Sequence, residues 1–374
     1  MDFSYSDEQQ SIGELTRQIF ADRISLDAMR ALEKSDGPRF DPSLWKELGE
    51  AGLVGIAIGE EFGGGGLGFL EVSVMLEELG RAVAPVPLYE AIVLGSLALV
   101  EFGTEAQKNR WLPDMASGSA IWTAALVEAE ADPLRPTTTA SLRNGGYQLV
   151  GEKIGVPAAE LARAIWVPAT LEDGSVAVFA VEAEAKGVTI LPQGTTSGQP
   201  EAVVQLDGVA VSSDARLGEA GSEILGWMQL RATAGLCSMA AGGCEAALAL
   251  TSEYVKTRKQ FDQSIAMFQA VGHRAADAYI DTETVRLTAQ QAAWRIANGR
   301  PADSQVAIAK FFAAEAGHRV MLAAQHLHGG VGVDRDYALH RYYLFGKQIE
   351  LSLGGGTFQL RSLGRMIASD TTTF

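Results

Sequence analysis

The sequence has few residues that could bind a metal or cross-link the chain. Its 374 residues include two cysteines and five histidines. Cys237 and Cys244 lie seven positions apart in a stretch rich in Ala and Gly, which is typical of small buried residues rather than of a zinc site or a disulfide. His326 and His328 are two positions apart, so on a helix their side chains point to different faces. We therefore expect no metal and no disulfide.

The chain is also poor in basic residues. It has 30 Lys and Arg against 46 Asp and Glu, a formal net charge of −16, whereas nucleic acids and anionic membranes are bound through a basic face. The longest apolar stretch, 91–100, has about half of the roughly 20 residues of a membrane-spanning helix. Acidic residues interrupt the first twenty positions, so no secretory signal is indicated. These absences predict a cytoplasmic protein that binds neither nucleic acid nor membrane.

Three segments with different patterns follow one another along the chain. Residues 1–119 show helical periodicity, 120–218 contain short β-rich runs divided by Gly, Pro and Asp, and 219–374 contain long helical stretches. Helices in the last segment are predicted at 223–257, 268–298, 303–327 and 337–353. Their short connections are typical of an antiparallel bundle. The sequence therefore predicts an α+β protein with an N-terminal α-helical domain, a middle β-barrel domain and a C-terminal four-helix bundle.

Two motifs in the last segment suit the binding of a nucleotide. In 254–269, Arg258 offers a fork of donors for a pyrophosphate and Phe261 offers a flat face for an adenine ring. In 325–333, Gln-His-Leu-His-Gly-Gly-Val-Gly-Val, the paired glycines let a backbone approach a ligand closely. With the acidic glycine loop Glu-Glu-Phe-Gly-Gly at 60–64, these motifs make the chain resemble the acyl-CoA dehydrogenases along nearly its whole length.

The resemblance implies a cofactor, a substrate and an electron acceptor. Acyl-CoA dehydrogenases use FAD to convert an acyl-CoA into a trans-2-enoyl-CoA, and they pass the electrons to electron-transfer flavoprotein. In the family, the matching Arg and Phe of one subunit reach the FAD of a neighbouring subunit. Arg258 and Phe261 are therefore expected to bind the pyrophosphate and adenine of a neighbour's cofactor.

The glycine pair is expected to contact the same half of the cofactor. The family's turn lies against the adenosine of a neighbour's FAD, which here implies Gly329 and Gly330. A Gln usually stands three positions before the first of these glycines in the family. That position holds His326 here, with Gln325 beside it, so both side chains remain candidates for the contact.

The general base of the family is missing. A Glu that removes the α-proton usually precedes Gly-Thr near the C-terminus, and Gly355 stands there in this sequence. Some members carry the Glu on the first bundle helix, before an Arg that matches Arg231, but Leu230 occupies that position. Glu350 could reach the site only if its helix were reoriented, and Arg231 is a candidate for substrate binding. No catalytic residue is therefore assigned, because neither Gly nor Leu can accept a proton.

The part of the β segment that faces the flavin ring in the family also departs from the pattern. The family's Ala-Leu-Thr-Glu-Pro reads Ala-Leu-Val-Glu-Ala at 125–129, which removes a Thr hydroxyl that bonds the isoalloxazine. Its Trp-Ile-Thr reads Gly-Val-Pro at 155–157, which removes the Trp that covers the flavin. Residues for the chain's own flavin ring are thus lost, whereas residues for a neighbour's adenine are kept.

This division predicts a chain that lends half of a cofactor site to a different, catalytic chain. In that respect it resembles the non-catalytic partners in heterotetrameric acyl-CoA dehydrogenases of actinobacterial steroid side-chain degradation, which hold fewer flavins than subunits. Such a chain needs a homologous catalytic subunit that supplies the Glu. Two alternatives remain open: a self-sufficient homotetramer whose base is Glu350 or Glu128, and a flavin-free acyl-CoA-binding scaffold.

Overall fold

The structure, a computed structural model, describes residues 5–369 and has the predicted order of helices, strands and helices. Before the strands come α1 (Asp7–Arg23), α2 (Leu26–Glu33), α3 (Pro42–Glu50), α4 (Phe69–Ala82), a π-helix (Glu90–Ser96), α5 (Leu97–Phe102) and α6 (Glu105–Ala116). The strands are β1 (Trp122–Ala124), β2 (Thr139–Arg143), β3 (Gly146–Pro157), β4 (Ala164–Leu171), β5 (Val176–Glu182), β6 (Val188–Gln193) and β7 (Glu201–Ser212). After them come α7 (Gly221–Thr257), the hairpin strands β8 (Lys259–Gln260) and β9 (Gln263–Ser264), α8 (Gln269–Ala297), α9 (Asp303–His328), α10 (Leu339–Leu351) and α11 (Gly356–Ala368). The predicted α+β class is confirmed.

Helix ends follow local signals in the sequence. Asp41 before Pro42 is typical of a helix start, and the Asp41 side chain accepts bonds from the backbone N–H groups of Ser43 and Leu44 at 2.9 and 3.0 Å. This is the geometry of an N-cap. Helices α7 to α10 match the four predicted helices to within two residues at each end. The prediction omits α11, because glycines at 354–356 interrupt the helical pattern where that helix begins.

The β segment forms one curled sheet of seven strands. Its order is β1-β4-β2-β3-β7-β6, and β5 also pairs with β4. The long neighbours β3 and β7 are antiparallel, and their register shifts between Lys153 and Val156. Such a bulge bends a strand and re-aims its side chains. The sheet encloses a core of aliphatic side chains with Phe179 at 0% exposure.

The chain divides into two compact units, each built from separate segments. One contains the described residues of Met1–Ala31, Phe69–Ala84 and Thr233–Phe374, and the other contains Leu32–Gly68 and Pro85–Ala232. In the first unit, α4 packs on α7 at Gly80 and Gly242, where any side chain would collide with a backbone carbonyl of the facing helix. The boundaries predicted near 119 and 218 divide the chain by sequence pattern instead, and they stay a prediction.

Helix α7 has the length and hydropathy of a membrane span, as no other helix within residues 5–369 does. Its most apolar window is 72% buried within the protein, which is the environment of a core helix. Cys237 and Cys244 both lie in this helix as buried free thiols. Burial raises the pKa of each thiol to about 12, so both are unreactive.

Candidate functional site

A hairpin after α7 presents an aromatic ring to solvent. Strands β8 and β9 are joined by Phe261 and Asp262, whose φ angles are 54° and 63°. Two successive positive φ angles are typical of a type I′ turn, where Asn and Gly are preferred, and this backbone region is costly for a bulky residue. Phe261 is 87% exposed. A strained backbone that holds a large apolar side chain in water indicates a surface that a ligand or another chain covers.

Arg258 lies at the base of the same hairpin and is exposed. Its backbone is fixed, because its N–H donates to the Tyr254 carbonyl at 2.8 Å and its carbonyl accepts from the Ile265 N–H at 2.9 Å. Its guanidinium makes no hydrogen bond or ion pair within residues 5–369. An unpaired guanidinium on a fixed backbone can bind a phosphate through two parallel hydrogen bonds. The hairpin therefore carries a fork of donors and a flat aromatic face.

The glycine pair follows the end of α9. Gly329 has φ 61° and ψ −137°, a combination that only Gly adopts readily. Gly329 and Gly330 are both exposed, and a Cβ on either would have no neighbouring atom within 4 Å. In the preceding turn, His326 is exposed and Gln325 is half-buried, so His326 is the more accessible of the two candidates. The turn offers open backbone to a ligand.

An aromatic stack joins the hairpin segment to the glycine turn. The rings of Tyr254 on α7 and His328 on α9 are stacked with centroids 4.3 Å apart. Tyr254 precedes Arg258 by about one helical turn, and His328 directly precedes Gly329. The two segments that the sequence assigns to one half of a cofactor are therefore neighbours in the structure.

The position of the family's usual base lies in the loop between α10 and α11. Gly355 is the N-cap of α11 with φ −78°, which any residue can adopt. A Cβ at 355 would lie 3.3 Å from the Glu350 carbonyl oxygen, so a side chain fits after a small shift. The fold therefore does not require Gly there. The second position, Leu230, is half-buried on α7.

A buried lysine that no sequence motif marks holds this loop. Lys310 on α9 is 0% exposed, and its Nζ donates to the carbonyls of Ile349, Glu350 and Gly354 at 2.8, 3.1 and 3.1 Å. Burial lowers the pKa of Lys310 to about 8. Because its donors point at the end of α10 and at the loop, Lys310 caps that helix. A single Lys among apolar residues gives no sequence signal for this role.

Glu350, the first alternative base, is already engaged. Its Oε2 lies 2.6 Å from Lys347 Nζ and 3.7 Å from His318 Nδ1. All three side chains lie in the first unit, and Glu350 keeps 23% of its side chain exposed. A paired, partly solvated carboxylate on this helix is a structural ion pair rather than a base aimed at a substrate.

Glu128, the second alternative, is locked as a carboxylate. Its side chain is 4% exposed and lies 2.5 Å from Nζ of the buried Lys153. The backbone N–H groups of Thr137 and Thr138 also donate to it. Burial alone would raise the pKa of Glu128, but the bonds from Lys153 and the two threonines lower it to about 2. So low a pKa makes a weak base at neutral pH.

The Lys153–Glu128 pair is expected to matter for stability instead. Because Glu128 has a folded pKa of about 2 against an ordinary 4.5, its contribution is present above pH 4.5 and is lost as the pH falls toward 2. Lys153→Met leaves a buried charge unpaired and should lower the free energy of unfolding by about 3 to 5 kcal/mol at neutral pH. Urea unfolding at pH 7 and at successively lower pH values down to about 3 measures this. The exposed Lys186→Met is the control, and an equal loss there would contradict the assignment.

Strand β3 has a bulge and altered residues at the positions that contact the flavin ring in the family. Gly155 has φ 55° within the bulge, and its N–H donates to the Gln193 side chain at 3.0 Å. A Cβ at 155 would lie 3.6 Å from Glu201 Oε2, so a carboxylate stands beside this strand. The Pro157 carbonyl accepts from the Thr123 hydroxyl at 2.8 Å. Gly155 therefore offers a flavin ring neither a side chain nor a free backbone N–H.

Trp166 does not replace the tryptophan that the family places over the flavin. Trp166 on β4 is 0% exposed, and its indole N–H donates to the Gly95 carbonyl at 2.8 Å. It packs against Trp122 with ring centroids 4.9 Å apart. Trp166 is therefore a core residue of the second unit.

Arg231, the candidate for substrate binding, lies next to Leu230 on α7. Its guanidinium stacks 3.6 Å from the centre of the Trp227 ring, a cation–π contact. Burial lowers the pKa of Arg231 to about 10, although the charge of Glu101 opposes this. It makes no ion pair within the described residues. The side chain is thus preorganised by an aromatic ring and keeps its donors for another group.

Comparisons with known proteins agree with these motifs. The family model "Acyl-CoA dehydrogenase, N-terminal domain" matches residues 6–119, and "Acyl-CoA dehydrogenase, C-terminal domain" matches residues 228–367. Acyl-CoA dehydrogenase FadE27 of Mycobacterium tuberculosis (strain ATCC 25618 / H37Rv) is 40% identical over 377 residues, which cover 98% of this chain and 99% of FadE27.

Solved structures share the whole fold. A chain of the ChsE4-ChsE5 complex from Mycobacterium tuberculosis is 40% identical, with a TM-score of 0.94 and full coverage of both chains. A variant of the Tcur3481-Tcur3483 steroid ACAD is 40% identical, with a TM-score of 0.91 over 98% of this chain and 99% of that one. The FAD complex of PigA is 25% identical, with a TM-score of 0.91 over 98% and 99% of the two chains. Motifs, family models and near-complete relatives thus agree that this chain belongs to the acyl-CoA dehydrogenase family, whose cofactor is FAD.

Proposed function

We propose that this chain is the non-catalytic subunit of a heteromeric, FAD-dependent acyl-CoA dehydrogenase. It lends contacts for the adenine and pyrophosphate of FAD to a homologous catalytic chain, and that chain supplies the base. One contrast carries the proposal: Arg258 and Phe261 are exposed and available, whereas Gly355 and Leu230 cannot accept a proton.

The residues of this chain bind and orient a cofactor; they do not transfer a proton. FAD bound in the complex would supply the hydride acceptor for the β-carbon of the acyl-CoA, and the carboxylate for the α-proton would come from the partner chain. Arg258 would bind the pyrophosphate, Phe261 would stack on the adenine, and Gly329 and Gly330 would admit the adenosine close to the backbone. Such contacts hold a reacting group in the correct place without entering the chemistry.

A different partner chain is required because the residues of this chain that would contact the flavin ring are altered. Val127 lacks the hydroxyl of the family's Thr. The Gly155 N–H already donates to the Gln193 side chain, and the Glu201 carboxylate lies beside Gly155. In a homotetramer, the intact adenine-binding residues of each subunit would meet the altered flavin-ring residues of its neighbour. Pairing with a catalytic homologue gives half of the sites both intact parts, which is roughly one FAD per two chains.

Exposed apolar side chains on α8 support this assembly. Most residues in its first turns, 269–280, are exposed to solvent, and they include Tyr279 at 58% and Ile280 at 61% exposure. Leu287, two turns after Ile280 on the same face, is 44% exposed. Large apolar side chains left exposed on one helix indicate an interface, and obligate interfaces resemble a domain core. The chain without its partner is therefore expected to be poorly soluble or to aggregate.

The substrate class and the electron acceptor are proposed from the relatives. The Tcur3481-Tcur3483 protein is called a steroid ACAD, and the ChsE4-ChsE5 protein is a complex of two differently named chains. We assign to this chain's complex the dehydrogenation of steroid side-chain CoA thioesters in the cytoplasm, with electron-transfer flavoprotein as acceptor. Arg231, which keeps its donors free of carboxylates, supports binding of an anionic substrate group.

Expression with and without a catalytic homologue tests the proposal. The chain alone is expected to be colourless, and the co-expressed complex is expected to show the visible absorption of oxidised flavin and to oxidise acyl-CoA. A yellow, active preparation of the single chain would support the self-sufficient homotetramer instead. A stable complex that binds acyl-CoA without any flavin would support the scaffold alternative. Either result would overturn the proposal.

A further inference from the structure

A buried histidine lies between the Arg258 hairpin and the Gly329–Gly330 turn, the two segments assigned to FAD. Its hydrogen bonds place a proton on Nδ1. His328, the last residue of α9, is 3% exposed. Its Nδ1 lies 2.8 Å from the Ala324 carbonyl oxygen and its Nε2 lies 3.2 Å from the Tyr337 hydroxyl. A carbonyl can only accept, so Nδ1 carries a proton, and in the neutral ring Nε2 accepts from the Tyr337 hydroxyl. Burial lowers the pKa of His328, which favours this neutral form.

Three separate parts of the first unit converge on this imidazole. Tyr254 of α7 stacks on it at 4.3 Å with an angle of 22° between the rings. His328 itself ends α9, and Tyr337 precedes α10 with its ring centroid 5.3 Å away. The His328 ring thus contacts α7, α9 and the segment before α10 directly.

The segment that carries Tyr337 is itself held in place. The Arg30 guanidinium donates to the Asp336 carbonyl at 2.5 Å and lies 3.3 Å from the Asp336 carboxylate. The Tyr337 carbonyl lies 2.7 Å from His340 Nδ1. Tyr337 therefore offers a fixed hydroxyl to His328. Because Gly329 directly follows His328, this bond also holds the start of the glycine turn.

We propose that His328 is a positioning residue, which sets the distance between the Arg258 hairpin and the Gly329–Gly330 turn so that both contact one FAD. The inference rests on the proposed function, since it assigns both segments to the same cofactor. The stack fixes the start of the hairpin, and the Tyr337 bond fixes the start of the turn. A misplacement of either by about 1 Å is enough to weaken binding strongly. Among the described residues, no group of three His, Cys, Asp or Glu side chains is placed to hold a metal ion.

Two substitutions separate the stack from the hydrogen bonds. His328→Phe keeps a flat ring for Tyr254 but removes both ring nitrogens, and Tyr337→Phe removes only the hydroxyl. In the complex with the catalytic partner, each is expected to raise the Kd for FAD about tenfold, the effect of one or two lost hydrogen bonds. At saturating FAD, kcat is expected to be unchanged, because His328 does not touch the reacting atoms. FAD titration by fluorescence and turnover at increasing FAD measure the two quantities.

Tyr342→Phe is the matched control. Its hydroxyl donates to the Arg81 carbonyl at 2.9 Å, so it removes a comparable bond elsewhere in the same unit. It is expected to lower the thermal midpoint as Tyr337→Phe does but to leave the FAD Kd unchanged. Equal FAD affinity in Tyr337→Phe and Tyr342→Phe would overturn the inference, and this comparison decides it even if His328→Phe does not assemble. If Arg258→Ala weakens FAD binding and Tyr337→Phe does not, only the inference fails; if neither does, the proposed function fails.

Discussion

Purified without a partner, the chain is expected to oxidise acyl-CoA at least about 100-fold more slowly than a complete acyl-CoA dehydrogenase, because general base catalysis alone contributes that much. Gly355 and Leu230 stand at both family base positions. Glu350 is paired with Lys347, and Glu128 is a carboxylate with a pKa of about 2. Turnover with an artificial electron acceptor and added FAD measures the effect. Turnover at rates like those of the family would contradict the account, and Glu350→Gln would then test the remaining candidate.

Restoring a carboxylate separates the missing base from the altered flavin site. Gly355→Glu fits the backbone, whose φ is −78°. We nevertheless expect the single chain to remain inactive, because the contacts for a flavin ring at Val127 and Gly155 are still absent. Gly355→Gln has nearly the same size without the charge and is the matched control. Activity in the Glu variant and not in the Gln variant would show that this chain has a working flavin site of its own.

Arg258→Ala and Phe261→Ala together are expected to remove most of the FAD from the complex with the catalytic partner. A charge-assisted hydrogen bond contributes about 1.5 to 3 kcal/mol, and about 1.4 kcal/mol is tenfold in Kd. Arg258→Ala alone should therefore raise the FAD Kd about 10- to 100-fold. Phe261→Ala adds the loss of the stacked face. Flavin content after gel filtration and titration with FAD measure both effects.

Lys259→Ala is the control for this pair. Lys259 is exposed and stands on the same hairpin, so its removal lowers the local charge without removing a planar fork of donors. Only a small change in FAD affinity is expected. An equal loss in Lys259→Ala would assign the Arg258 effect to general electrostatics, and unchanged flavin content in the double variant would show that this face does not bind the cofactor.

Periodicity predicted most of the helical fold because the helices are long. Helices α7, α8 and α9 are 37, 29 and 26 residues long, so their apolar positions repeat many times. Helix α11 was missed because three glycines stand at its start. The packing of α4 on α7 depends on Gly80 and Gly242, which are far apart in the sequence, and a local pattern cannot detect such a contact.

Motif spacing selects candidate site residues, but it does not show how they are held. Phe261 was selected as a flat face, yet its positive φ has no sequence signal, since such turns prefer Asn and Gly. Glu128 looked available because its partner Lys153 is 25 positions away and meets it only in the folded sheet. The sequence suggests no structural role for His328, because its contacts with Tyr254 and Tyr337 depend on tertiary structure.

The native mass and flavin content of the complex co-expressed with a catalytic homologue test the central claim most directly. The account predicts a mixed tetramer of the two chains with roughly one FAD per two chains. Arg258→Ala in this chain should lower that flavin content, although the partner carries the base. A stable homotetramer of this chain with one FAD in every subunit would contradict the account.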